Sequence, residues 1–534
     1  MSKNRFDAVV VGAGFAGMYL LIRLRELGLS VRVLEKGLDV GGTWYWNRYP
    51  GARCDIESFQ YSYSFSDELQ QEWDWSERYA TQPEILRYAR HVADRFDLRR
   101  HIQFSMTVMA ARYEESERCW QLDVVDADGS HTTVESNWCV MATGCLSVPN
   151  VPSFPNADAF AGPIYHTGDW PRSGVDFSDQ RVAVIGTGSS GIQSIPLIAE
   201  QAKHLTVFQR TPNFIVPAQN RMLDSEEKQW VKSRYEELRA LAKTTRNGIA
   251  FEAETRSALS VSAQERETQY ESQWKQGGLP FALSFPDLLR DPEANSTAAE
   301  FVAKKIELTV HDQDTARLLT PDYTFACKRL CVDTGYYETF NRDNVELVDI
   351  IESGITGLDA EGIVIGNKTY AVDAIVLATG FDAITGALKR IDIRGRNGLS
   401  LSEKWRHGPV SYLGLMIAEF PNLFTVTGPG SPSVLSNMLG SIEFHVDWIT
   451  NCIEFTQSNA YGSVEAISAA ETSWVKEVSG VVDRTLYRTC QSWYLGSNIP
   501  GKPRVFMPYP GVPDYIDRCN QIVSENYKGF SFGR

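Results

Sequence analysis

The chain has 534 residues, well past the roughly 250–300 at which a single hydrophobic core stops growing, so two or three domains are expected. Hydrophobic residues make up 43% and charged residues 22%, the balance of a globular protein rather than a disordered or fibrous one. A net charge of −15 argues against nucleic acid or an anionic membrane as partner, so an anionic ligand must be met by local arginines, lysines and backbone amides.

The N-terminus, MSKNRFDAVVVGAGFAG, runs into a strand without the apolar region and small-residue cleavage site of a signal peptide, and no run of about 18 apolar residues follows. Nine cysteines with no CxxC pair point to reduced, mostly buried thiols in a cytoplasmic protein. The closest pair, Cys327 and Cys331, has no second pair to complete a zinc site, so no metal is expected. A monomer is the default expectation.

The apolar run Ala8–Val11 reads as a buried parallel strand, and Gly12-x-Gly14-x-x-Gly17 opens a helix carrying Leu20, Leu21 and Leu24 on one face. Those glycines, with Phe15 and Ala16 between them, suit a tight turn, a close approach to a pyrophosphate and close helix–strand packing. The helix N-terminus adds free amides and a positive dipole end. A second strand, VRVLE, ends in Glu35, 23 residues after Gly12, where a carboxylate can accept from ribose hydroxyls and would repel a 2′-phosphate. The order strand, glycine turn, helix, strand, acid predicts FAD or NAD here, with Lys36 beside it.

Next comes GGTWYWNRYPGARCDIES, with Gly42, Thr43, Trp44 and Trp46, then Arg53 and Asp55. Trp138–Asn150 and Ala374–Phe381 are each a short apolar strand ending in Ala-Thr-Gly, the look of a chain crossing between two nucleotide domains. Between them stands QRVAVIGTGSSGIQS, in which Gly186, Thr187, Gly188, Ser189, Ser190, Gly191 and Gln193 repeat the first design. Its second strand, LTVFQR, ends in Arg210, 24 residues after Gly186, followed by Thr211. Arginine there suits a 2′-phosphate through bidentate charge-assisted hydrogen bonds; a solvated surface arginine is the plain alternative. Together the loops predict FAD first and NADPH second, with the NADP domain inserted into the FAD domain.

Between Arg221 and about Thr320 the pattern turns helical. Asp224 with Glu227 and Ser262 with Glu265 form capping boxes, and Val231, Tyr235, Leu238 and Leu241 keep helical spacing. The segment reads as a cap over a substrate cleft, or as a surface elaboration. The expected fold is α/β: two dinucleotide-binding Rossmann-like domains with a helical insertion. Residues 1–145 and 381–534 would form the FAD-binding domain, 146–220 and 321–380 the NADP-binding domain, and 221–320 the insertion.

The linker FAGPIYHTGDWP has the spacing Phe160-x-Gly162-x-x-x-His166-x-x-x-Trp170-Pro171. Set between two nucleotide loops, it resembles the signature of type I Baeyer–Villiger monooxygenases, and the resemblance runs from Phe6 to about Phe530. It implies FAD, NADPH and O2 acting on a small-molecule ketone, which becomes an ester or lactone through a flavin peroxide. It assigns Arg329 as the cation that stabilises developing negative charge and Asp55 as the carboxylate that orients it, a plain interdomain ion pair being the alternative. Tyr61, Val108 and Met438 join the flavin positions, and Lys328 joins Arg210 and Thr211 around the 2′-phosphate. Trp493 would close on NADP, Ser433, Val434 and Leu435 would shape ketone choice, and His166 would be a hinge or a structural residue rather than a base. An N- or S-oxygenating flavin monooxygenase is the nearest alternative, with sulfoxidation possible as a side activity; a non-enzymatic flavin sensor is the remote one.

Overall fold

A computed structural model describes residues 4–534 of the chain. Arg5–Val11 forms the centre of the first large sheet, pairing in parallel with Val31–Leu34 on one side and His131–Met141 on the other. Beyond His131–Met141 the antiparallel strands Cys119–Val125 and Thr107–Glu114 extend the sheet, and Asp392–Arg394 closes that edge. Leu423–Thr425 pairs with the end of His131–Met141, so the last third of the chain returns to the sheet the N-terminus began. The alternation of a strand buried on both faces is plain: Ala8 and Val10 enter one apolar cluster, Val9 and Val11 another.

The second large sheet is wholly parallel, in the order Val345–Asp349, His204–Gln209, Arg181–Ile185, Ala374–Leu377, Ile164–His166. The chain between its strands His204–Gln209 and Val345–Asp349 makes a helical excursion. Ile215–Pro217 and Cys331–Asp333 pair with each other at the two ends of this excursion, so it leaves and returns at one place. Both expected capping boxes form, at Asp224 with Glu227 and Ser262 with Glu265. The spacing of Val231 with Tyr235, Leu238 and Leu241 does not make one helix. Arg234 departs from helical geometry, so Val231 lies in the last turn of Ser225–Ser233 and the other three belong to Tyr235–Thr244.

Both Ala-Thr-Gly segments lie against a nucleotide loop. Gly12 and Gly186 each have φ of +106°, and a Cβ on either would sit 2.6 Å from a carbonyl oxygen, that of Ala142 for Gly12 and of Ala378 for Gly186. The third glycine of each loop is fixed by close approach alone: a Cβ on Gly17 would meet the Gly12 carbonyl at 1.8 Å, and one on Gly191 the Gly186 carbonyl at 2.3 Å. The two loops are thus built alike down to the strand that backs them.

The expectation that the thiols are all reduced is corrected as well. Cys327 and Cys490, 163 residues apart, form a disulfide with their Cα atoms 6.3 Å apart. Spacing along the chain could not disclose it, because the pair meets only through tertiary folding. The other seven cysteines are free and buried, as composition suggested. No helix among the described residues is long and apolar enough to cross a membrane.

Candidate active site

Two helices aim bare N-termini at the loops. Phe15–Glu26 starts after Gly14 and Ser189–Gln201 after Gly188; neither has a side-chain cap, and neither carries an acid in its first turn. Such ends keep their amides free and their dipole uncompensated, which fits a pyrophosphate at each.

Around the first loop, Glu35 is almost fully buried, and its two carboxylate oxygens accept from the backbone N–H groups of Ala13 (2.7 Å) and Gly37 (2.6 Å). Burial pushes its pKa up, and those two amides pull it back. Each oxygen keeps a lone pair, so a ribose hydroxyl can still donate to it. Gly42 approaches Gly14 so closely that a Cβ there would lie 2.9 Å from the Gly14 Cα, placing the Thr43–Trp46 turn over the loop. Trp44 donates from its indole N–H to the Tyr61 hydroxyl at 3.1 Å. Lys36 lies over the Trp46 ring at 5.8 Å. Val108 is buried in the strand Thr107–Glu114, and Met438 begins the helix Met438–Ser458.

The Tyr-Pro-Gly motif joins this region to the second loop. Tyr49 donates to the Gln193 side-chain oxygen (2.8 Å), and the Gln193 amide donates to the Arg53 carbonyl (3.2 Å). Gly51, with φ of +81°, sits where a Cβ would meet the Gln193 carbonyl at 2.2 Å. Arg53 itself pairs with Glu77 at 3.3 Å.

Arg329 is held on three sides. Its Nη2 donates to both oxygens of Asp55 (2.8 and 2.7 Å), its Nε donates to the same carboxylate at 3.1 Å, and its Nη1 donates to the Val434 carbonyl at 2.8 Å. Both side chains are about four-fifths buried, with 21% and 22% exposure. Burial works to lower the arginine's pKa, but Asp55 and then Tyr494 outweigh it and hold the pKa above its ordinary value. The arginine is a permanent cation. The Tyr494 phenol is buried close enough to feel this charge.

The loop expected to shape ketone choice therefore reaches the arginine through backbone. Ser433, Val434 and Leu435 are buried in a short 3-10 turn, and the Ser433 hydroxyl lies 3.2 Å from the Cys145 thiol. Trp493 is half-buried against Tyr494, with ring centroids 4.4 Å apart.

Lys328 and Arg210 form the second charged group. Arg210 is exposed at the end of its strand. Burial, and then the Arg210 charge, lower the Lys328 pKa, and its ammonium lies 4.0 Å from the centre of the Tyr323 ring. Among the described residues neither cation has a carboxylate partner within ion-pair distance. Two like charges brought together without a counterion suit an incoming phosphate. Thr187 donates to the Thr211 carbonyl at 3.0 Å, while Asn213 donates to the Thr187 carbonyl (2.5 Å) and accepts from Tyr323 (3.1 Å). Asn213 and Tyr323 carried no motif signal of their own, and Tyr49 and Tyr494 lie in motif stretches without having been given these contacts. Each matters only through a neighbour that the fold supplies.

The linker motif contacts the second loop. Gly168 donates its N–H to His166 Nδ1 at 2.9 Å, so the ring proton sits on Nε2, which faces the Thr379 hydroxyl at 3.2 Å. Thr379 in turn donates to the Asn150 carbonyl at 2.6 Å. Burial lowers the His166 pKa, which keeps the ring neutral. Next to it, the hydroxyls of Thr167 and Ser190 lie 3.2 Å apart. Gly162 is demanded by the Asp373 carbonyl, 2.3 Å from where a Cβ would be. Phe160 is buried in the apolar cluster under the second sheet, and Trp170 packs on Tyr165 and Phe177 ahead of Pro171. His166 is a satisfied strut between the motif and the crossing strand.

The paired glycine cradles, the two bare helix N-termini and the unpaired cations fit FAD and NADP. Residues 9–278 match the pyridine nucleotide-disulphide oxidoreductase family. A Baeyer–Villiger monooxygenase of Pseudooceanicola batsensis is 41% identical, over 98% of this chain and 95% of its own. A steroid monooxygenase structure bound to NADP is similar at 49% identity and a TM-score of 0.94, over 99% of each chain. The OTEMO complex with FAD and NADP is similar at 40% identity and a TM-score of 0.95, again over 99% of each chain. Since likeness of this degree spans the whole length, from the first glycine loop to the C-terminal strand, the chain belongs to the Baeyer–Villiger monooxygenases, flavoproteins that work with FAD and NADP.

Proposed function

We propose that the protein uses NADPH and O2 to insert an oxygen atom beside the carbonyl of a ketone, giving an ester or lactone. The observation that carries this reading is the Arg329–Asp55 pair, a fixed guanidinium tied to the substrate loop at Val434. FAD, once reduced by NADPH, supplies the activated oxygen. The chain's part is to orient, to exclude water and to stabilise charge.

Negative charge develops on oxygen as the carbonyl is attacked, and a cation already in place costs no reorganisation at that moment. Arg329 meets this need because Asp55 and Val434 fix three of its nitrogens, leaving little freedom to lose. Asp55 fixes its orientation, and the buried turn Ser433–Leu435 sets how near a carbonyl can come. Gly12, Gly14, Phe15, Ala16, Gly17, Glu35, Lys36, Gly42, Thr43, Trp44, Trp46, Asp55, Tyr61, Val108 and Met438 are assigned to FAD; Arg53, Gly186 to Gly191, Gln193, Arg210, Thr211, Lys328, Arg329 and Trp493 are assigned to NADP. Residues 1–145 and 381–534 are taken as the FAD domain, 146–220 and 321–380 as the NADP domain, and 221–320 as a cap.

A panel of alicyclic, aryl, aliphatic and steroid ketones, offered to FAD-loaded protein with NADPH and read by mass spectrometry, tests the proposal. Ester or lactone heavier than the ketone by one oxygen is expected. Oxidation of amines or sulfides with no ester from any ketone would overturn it.

A further inference from the structure

The disulfide joins two segments that the proposed function already singles out. Cys327 is two residues before Arg329, and Cys490 is three before Trp493 and four before Tyr494. The remaining ties between these segments are weaker. The Thr489 hydroxyl donates to that of Thr324 at 2.8 Å, and the buried Tyr494 phenol feels the Arg329 charge. Further along, the same C-terminal stretch reaches the substrate loop: Met507 bonds to the Tyr494 carbonyl and accepts from Gly430, and Tyr509 donates to Ser431. The sulfur pair is thus the one covalent connection between the segment carrying the arginine and the segment that also braces the ketone-side loop. Cys327 is fully buried, whereas Cys490 is 8% exposed between the exposed residues Thr489 and Gln491. Cys490 is therefore the less deeply buried end of the pair.

We propose that the Cys327–Cys490 pair is a redox modification site, a clasp that a dithiol opens and a peroxide closes, and that opening it frees the segment around Trp493 from the arginine. In opening, a dithiol thiolate attacks Cys490 Sγ, the S–S bond breaks, and Cys327 leaves as a thiolate that takes a proton. The second sulfur of the dithiol then displaces Cys490, which is also protonated. The protein gains two electrons and two protons, and the dithiol departs as a cyclic disulfide. In closing, one thiolate takes an oxygen from a peroxide to become a sulfenic acid. The other condenses with it, so two thiols and one hydrogen peroxide give the disulfide and two waters. The consequence for NADP rests on the reading of Trp493 given above; the clasp itself does not.

The purified FAD-loaded protein tests this in three ways. Alkylation in denaturant should modify seven cysteines before reduction and nine after it; nine before reduction would overturn the proposal. Limited trypsin digestion should cut after the exposed Arg488 several-fold faster once the protein is treated with dithiothreitol, and Cys490→Ser should be cut at that faster rate with or without reductant. Equal rates for oxidised and reduced protein would overturn the proposal, and this comparison stands even if the variant fails to fold. Opening the clasp should also raise hydrogen peroxide released per NADPH by several-fold, with KM for NADPH rising. If digestion responds to reductant while no ketone gives ester in either state, the clasp stands and the proposed function fails.

Discussion

At the scale of single residues the site depends on where charge is fixed. Arg329 is tied by Asp55 and by the Val434 carbonyl, so removing it takes away a preorganised cation rather than a mobile surface charge. Arg329→Ala should leave NADPH oxidation nearly intact and lower ester formation about 100- to 1,000-fold, measured as product per NADPH. Arg329→Lys keeps a charge but not the planar fork that grips Asp55, and should recover little of the loss. A second buried group has a stability consequence. Asp333 is 9% exposed, and burial raises its pKa to about 7 although the Tyr336 N–H donates to it. The folded chain holds this proton more tightly than the unfolded chain does. Its contribution is therefore fully present below about pH 4 and is lost as pH rises through about 7, by about 4 kcal/mol in total. Asp333→Asn, which keeps an oxygen for the Tyr336 N–H, should flatten that decline; urea unfolding at pH 5 and pH 8 measures it.

At the scale of elements, close backbone approach explains more than propensity does. Gly51 sits against the helix Ser189–Gln201 with a positive φ and no room for a Cβ, so one turn of the Tyr-Pro-Gly motif sets how near that helix can lie. Gly51→Ala must push the helix away, so KM for NADPH should rise and stability fall by about 1–3 kcal/mol, while a control substitution at the open turn Gly129 should leave KM unchanged. The glycine loops, the crossing strands and both capping boxes were legible because each is a local pattern with a local physical cause. The break at Arg234 was not, because periodicity continues across it while the backbone does not. Nor were Asn213, Tyr323 and the Cys327–Cys490 pair, whose partners lie 26, 110 and 163 residues away and are chosen by tertiary packing. Glu35 was legible as an acid at a strand end, but not its burial or its grip on the amides of Ala13 and Gly37, which depends on how the loop folds back.

At the scale of the whole molecule, a chain of net charge −15 must bind a cofactor that is itself an anion. The long-range field opposes binding, so affinity has to come from the few cations placed within contact distance, where solvent screens least. Arg210 and Lys328 are proposed as such a pair, and burial, then the Arg210 charge, holds the Lys328 pKa below its ordinary value. NADP+ at a hundredfold excess over its Kd should stabilise the folded protein by about 2.7 kcal/mol, seen as a rise in the thermal midpoint at a fixed scan rate. Each charged hydrogen bond to the phosphate contributes about 1.5–3 kcal/mol, so Arg210→Ala or Lys328→Ala should weaken NADP+ roughly 10- to 100-fold. At the same NADP+ concentration the stabilisation then falls to about 0.4–1.4 kcal/mol. NAD+, which lacks the phosphate, should shift the midpoint equally in the parent and in both variants. An equal loss with NAD+ would mean that the two cations support the fold of the second domain rather than select its cofactor.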